Sequence, residues 1–170
     1  MELRVVYEKY PLPLLILFYN TQKGRSLERL EGMFGGNVAD QNNLAGIKVM
    51  VIDDSNTIRR SAEIFLVQSG CEVILAEDGF DAMSKIADHQ PNVIFVDIMM
   101  PRLDGYQTCM LIKKNQRFRD TPVVMLSSKD GLFDRVRGRM VGSDEYLTKP
   151  FTKDSLLQAV KKHVLSRKAA

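Results

Sequence analysis

From Ile47 onward, short apolar runs rich in β-branched residues alternate with segments of helical period, which is the sequence signature of an α/β domain built on a parallel sheet. The spacing predicts strands at Lys48–Ile52, Glu72–Ala76, Asn92–Val96, Pro122–Leu126 and Glu145–Thr148. Three of these, around Val49-Met50-Val51-Ile52, Val93-Ile94-Phe95-Val96 and Val123-Val124-Met125-Leu126, are apolar at every position. Strands that cannot afford one polar face are covered by helices on both sides, so these three belong at the centre of the sheet. Helices are predicted at Asn56–Ser69, Phe80–Asp88, Tyr106–Asn115, Leu132–Val141 and Lys153–Leu165. The first places Ile58, Ala62, Phe65, Leu66 and Ser69 on one stripe, with Gly70 as its C-terminal cap, and the last brings Leu156, Val160 and Val164 together. The expected fold is a single (βα)5 domain, a doubly wound five-stranded parallel sheet.

The 170 residues suit one domain of ordinary size. The stretch Lys23–Gly46 carries five glycines and no sustained hydrophobic period, and reads as a linker. We therefore expect a poorly structured extension over 1–45, the domain over 46–166 and a short tail over 167–170. Residues 1–32 read as an unstructured extension or as the product of a start assigned too early, with Met33 as the true initiator; the alternative is a membrane-surface or partner-binding segment at Leu14–Phe18. The longest apolar run, Leu12 to Tyr19, is interrupted by Pro13, whereas a membrane-spanning helix needs about 20 residues. Arg4 and Lys9 precede this run, but no small-x-small cleavage site follows it, so a secretory signal is not expected. A net charge of +3, spread along the chain, is too weak to indicate nucleic-acid binding. Cys71 and Cys109 have no metal-ligand spacing and read as reduced core thiols, implying a reducing, cytoplasmic compartment. His89 and His163 read as surface residues.

Right-handed crossovers bring the carboxyl ends of all five strands to one edge of the sheet, where such folds bind their ligands. At those ends stand Asp53-Asp54, Asp97, Ser127-Ser128 and Lys149-Pro150. Three carboxylates at one edge repel one another, and their clustering makes sense chiefly when a divalent cation neutralises them. Mg²⁺, which takes oxygen ligands and keeps several waters, suits such a set. Asp97 is then a candidate carboxylate nucleophile for a phosphoryl group, screened by the cation on one side and by Lys149 on the other. Ser127 would donate a hydrogen bond to a phosphoryl oxygen. Any one of the acidic residues could instead be a helix cap, Asp54 or Ser55 for the first helix; capping does not account for all four strand ends together.

The segments Val51-Ile52-Asp53-Asp54-Ser55, Phe95-Val96-Asp97-Ile98-Met99-Met100-Pro101, Leu103-Asp104-Gly105 and Tyr146-Leu147-Thr148-Lys149-Pro150-Phe151 resemble the response-regulator receiver family, over residues 47 to about 165. The resemblance implies a flavodoxin/CheY-like receiver fold with Asp97 as phosphoacceptor. It further implies Mg²⁺ held by Asp54, Asp97 and the Met99 backbone carbonyl, with Asp53 acting through water. Lys149 would pair with the phosphoryl group, Ser127 would take the place of the Ser/Thr switch, and Tyr146 that of the rotating aromatic. Asp104-Gly105 would form a tight turn, and Lys149-Pro150 a cis peptide. Met99 and Lys129 would flank the pocket and bear on the lifetime of the phosphoryl group.

Within the family, Lys85-Ile86-Ala87-Asp88, Gly105-Tyr106-Gln107-Thr108-Cys109 and Leu126-Ser127-Ser128-Lys129-Asp130-Gly131-Leu132-Phe133-Asp134 resemble a stand-alone, monomeric regulator of the chemosensory system that governs type IV pilus twitching motility. That implies a CheA-type histidine kinase upstream and a protein effector of the pilus or cyclase machinery downstream. The alternatives are a phosphate sink without a downstream partner, or a chemotaxis-type regulator of another system. A flavodoxin-like cofactor binder is disfavoured because the loop Asp53-Asp54-Ser55-Asn56 is acidic and offers no glycine-rich phosphate cradle.

Overall fold

The computed structural model describes residues 44–128, 137 and 139–168. The apolar runs form β1 (Lys48–Ile52), β2 (Glu72–Ala76), β3 (Val93–Asp97), β4 (Val123–Ser127) and β5 (Glu145–Thr148). All neighbours pair in parallel in the order β2-β1-β3-β4-β5. The direction of winding reverses between β1 and β3, which is the topological switch point of such sheets. Strands β3 and β4 each lie one residue further along than the sequence predicts, because Asp97 and Ser127 still pair in the ladder, Asp97 with Leu126 and Ser127 with Thr148.

Between the strands run α1 (Asn56–Val67), α2 (Gly79–His89) and α3 (Gly105–Lys114), and α4 (Lys153–Lys168) follows β5. Of the expected helix Leu132–Val141, Arg137, Arg139 and Met140 are described and helical; most of the rest, like Lys129 and residues 1–43, lies outside the described residues. Helix α1 ends two residues before the predicted Ser69, and Gly70, in the left-handed region at φ +87°, turns the chain just beyond it. Each of the first three helices starts on a side-chain cap: Ser55 accepts from the Ile58 N–H at 3.5 Å, Asp78 from Asp81 at 2.8 Å and Asp104 from Gln107 at 2.7 Å. The Gln107 side chain returns the bond to the Asp104 N–H. Asp104-Gly105 is thus a helix start rather than a free-standing turn.

Strict alternation along the strands divides the core in two. Val49, Val51, Val93, Phe95, Val124 and Leu126 pack with Ala62 and Leu66 of α1 and with Leu156 and Val160 of α4. Met50, Ile52, Ile94, Val96, Val123 and Met125 pack on the other side with Ala82 and Ile86 of α2 and with Cys109 and Ile112 of α3. Each such side chain taken fully out of water contributes about 2 kcal/mol. The two cysteines are buried free thiols on opposite sides of the sheet, and burial pushes both thiols up to about 11. His89 is exposed. His163, expected at the surface, is instead largely covered and lies 2.6 Å from the Glu145 carboxylate.

Candidate functional site

The switch point places the end of β1 beside the end of β3. Asp53, immediately after β1, has no exposed surface, Asp97 ends β3 at 6% exposure, and Asp54 faces solvent. One carboxylate oxygen from each of the three lies within 4.8 Å of the other two. The chain then reaches over from β5: Lys149 Nζ stands 2.5 Å from Asp53 Oδ2 and 2.8 Å from Asp97 Oδ1. The Lys149 N–H donates to the Ser127 carbonyl at 2.6 Å, which anchors the lysine backbone to the end of β4. The Lys149–Pro150 peptide is cis, as expected.

The electrostatics follow from this crowding. Burial raises the Asp97 pKa above the usual carboxylate range; the Lys149 bond and the Met99 N–H pull the other way, while the neighbouring Asp53 charge adds to the rise. Burial alone would lower the Lys149 pKa, but its bonds to Asp53 and Asp97 outweigh it and hold the ammonium above its ordinary value. One ammonium faces three carboxylates, so negative charge remains in excess. All the donors are oxygens, and Asp54 leaves one side open to water. That combination fits a hard divalent cation that keeps part of its hydration shell.

Ser127 closes β4 at 4% exposure. Tyr146 pairs with Met125 two rungs back from the Ser127–Thr148 pair, so it lies on the same side of the sheet as Ser127. It is half-buried against the α2/α3 core. Met99 is 73% exposed, and its backbone N–H donates to the Asp97 carboxylate. The close packing beneath Asp97 requires a glycine: a Cβ on Gly105 would come within 2.2 Å of the Asp97 carbonyl oxygen and 2.8 Å of Ile98 Cα.

Two features escape the sequence reading. Arg59, in α1, donates from Nη1 to the Asp53 carbonyl at 2.6 Å. Arg102, at a left-handed φ of 69°, pairs with the buried Asp78 and stacks over Phe80, 5.8 Å from the ring centroid. Neither shows in the hydrophobic pattern: Arg59 reaches back to the loop that leads into its own helix, and Arg102 reaches the loop before α2.

The model of the family "Response regulator receiver domain" matches residues 49–161. Protein PilG of Pseudomonas aeruginosa is 71% identical over 121 residues, covering 71% of this chain and 90% of that protein. The chain spans about half the length of other relatives, such as the response regulator MprA of a Mycobacterium species, which is 37% identical over 65% of this chain and 47% of its own. Among solved structures, the chemotaxis protein CheY4 of Vibrio cholerae superposes with a TM-score of 0.68 at 30% identity, over 70% of this chain and 99% of that one. The receiver domain of a Pseudomonas aeruginosa sensor histidine kinase, solved with a magnesium ion coordinated in its active site cleft, gives a TM-score of 0.66 at 26% identity, over 71% and 98% of the two chains.

Proposed function

The chain belongs to the response regulator receiver family, and from that premise we propose that it is a stand-alone response regulator whose Asp97 accepts a phosphoryl group from a histidine kinase. The observation that carries this reading is the position of Lys149, within hydrogen-bond distance of both buried aspartates at the switch point. Membership of the family implies a cognate histidine kinase. A Mg²⁺ ion would be held by Asp54, Asp97 and the Met99 carbonyl, with Asp53 acting through water, and would supply charge screening for the incoming phosphoryl group. Lys149 holds Asp97 from the opposite side and is placed to follow the phosphoryl oxygens. In the transfer, the phosphorus–nitrogen bond of a phosphohistidine breaks as a phosphorus–oxygen bond to Asp97 forms. The departing imidazole takes up a proton from solvent.

Ser127 and Tyr146 act as the switch. The Ser127 hydroxyl hydrogen-bonds the arrived phosphoryl group, and Tyr146, on the same side of the sheet, moves inward, changing the surface around β5. A partner that binds this altered surface better reads the signal. The 71% identity to PilG supports a place in the chemosensory control of type IV pilus twitching motility. The proposed partners are a CheA-type kinase upstream and a pilus or cyclase-regulating effector downstream. In this reading the receiver occupies 46–166, follows an extension over 1–45 and works in the cytoplasm. Among the described residues no helix is long and apolar enough to cross a membrane.

Phosphoryl transfer from a purified histidine kinase or from acetyl phosphate, with and without Mg²⁺, tests the proposal. Label that requires Mg²⁺ and is lost in Asp97→Asn supports it. Absence of label on the wild type with either donor would reduce the protein to a receiver-shaped binding module.

A further inference from the structure

Asp53 is held at every polar atom. Its N–H donates to the Ala76 carbonyl at 3.2 Å, its Oδ1 accepts from the Ser55 N–H at 2.9 Å, and its Oδ2 accepts from Lys149 at 2.5 Å. The fourth atom, its carbonyl oxygen, is taken by the guanidinium of Arg59 at 2.6 Å. Three of these bonds come from the parts any such strand end contains: the ladder, the cap loop and the site lysine. The fourth comes from a long side chain folded back from the end of the first turn of α1. Its neighbour Arg60 does what arginines on helices ordinarily do, pairing with Glu63 at 2.6 Å three residues along the exposed face.

The carbonyl that Arg59 holds belongs to the peptide joining Asp53 to Asp54. A peptide group is planar and stiff, so holding its oxygen restrains the plane, and with it the position from which Asp54 N and Cα leave the loop. Asp54 is the exposed member of the carboxylate trio, so packing does less to place it than it does for Asp53 and Asp97, and the backbone sets where its Cα stands. The guanidinium achieves this without occupying a carboxylate oxygen, so it does not compete with a cation for ligands. We propose that Arg59 is a positioning residue of the divalent-cation site, setting the Asp53–Asp54 peptide so that the Asp54 carboxylate is aimed into the cluster. The inference rests on the metal-binding reading given above.

Charge and geometry predict opposite signs, which makes the role testable. If Arg59 mattered only through its charge, removing a cation beside three carboxylates would strengthen Mg²⁺ binding. If it positions Asp54, removing it weakens binding, by about tenfold on the scale typical of groups that orient metal ligands.

The experiment is calorimetric titration of the full chain with Mg²⁺ for the wild type, Arg59→Met, Arg59→Lys and Asp54→Asn, with melting curves in EDTA alongside. The expected result is a roughly tenfold higher Kd for Arg59→Met and partial recovery in Arg59→Lys, which keeps one donor. Melting in EDTA should change far less than affinity. Equal or tighter Mg²⁺ binding by Arg59→Met overturns the inference while leaving the metal site intact. Should Arg59→Met fail to fold, Arg59→Gln decides, since it removes the charge and shortens the side chain: weaker Mg²⁺ binding there supports the inference, and equal or tighter binding overturns it. A wild type that binds no Mg²⁺, or whose binding survives Asp54→Asn, overturns the metal-site reading and the inference with it.

Discussion

Strands β3 and β5 contribute equally visible residues to the site, yet they are built differently. All five residues of β3 are buried, and the strand is flanked on both sides by β1 and β4. All four residues of β5 are half-exposed, and it pairs with β4 alone. Asp97 is fixed at the end of the first by ladder pairing and by the Gly105 backbone packed beneath its carbonyl. Tyr146 and the approach to Lys149 ride on the second. Segments with full burial open only near the global unfolding free energy, whereas half-exposed edges open at lower cost. The proposed phosphoacceptor therefore sits where the fold moves least, and the residues that would report its state sit where the fold yields.

Mutations can sharpen or break this contrast. The largest effect is expected for Asp97→Asn, which should abolish phosphoryl labelling. The same substitution should raise the melting temperature at neutral pH in metal-free buffer. The Asp97 pKa is raised in the folded protein, chiefly by burial, so folding disfavours the ionised form, and the neutral amide removes that penalty. The gain should shrink as pH falls through the raised value and wild-type Asp97 takes up its proton. A gain that grew on acidification would show the sign to be wrong.

Next, Lys149→Ala should lower stability by about 3 kcal/mol in EDTA, read by urea titration, because it strands two buried carboxylates; Mg²⁺ should restore part of this by binding the folded state. Gly105→Ala should cost about 2 kcal/mol through overpacking against the Asp97 carbonyl, a penalty that a pliable β3 end would not impose. Ser127→Ala should leave labelling in place and change stability by about 1 kcal/mol, while uncoupling β5 from phosphorylation. Smallest of all, Lys162→Ala removes an ion pair to Glu145 on the exposed flank of β5 and should cost no more than about 0.5 kcal/mol. Were Lys162→Ala as damaging as Lys149→Ala, the distinction between buried centre and yielding edge would fail.

Much of this architecture was legible in the sequence because it rests on local pattern. The apolar runs locate all five strands, and the order of polar residues at their ends singles out Asp53, Asp54, Asp97, Ser127 and Lys149 as candidates. The pattern erred by one residue at β3 and β4, where polarity suggested that the strand had ended although Asp97 and Ser127 still make ladder pairs. Asp104-Gly105 has the sequence of a turn, and the capping role of Asp104 appears only in its reciprocal bond with Gln107, which is a matter of geometry. Arg59, Arg102 and His163 stayed hidden for a different reason. Their partners, Asp53, Asp78 and Glu145, lie in other elements, and hydrophobic period carries no information about which polar side chain folds back to meet which loop.

Hydrogen exchange measured by mass spectrometry, comparing the Mg²⁺-bound protein before and after phosphorylation by acetyl phosphate, tests the central contrast most directly. Exchange should change in peptides covering Glu145–Thr148 and stay slow and unchanged in those covering Val93–Val96. Changes centred on β3, or no change along β5 in a protein shown to be phosphorylated, would contradict that contrast.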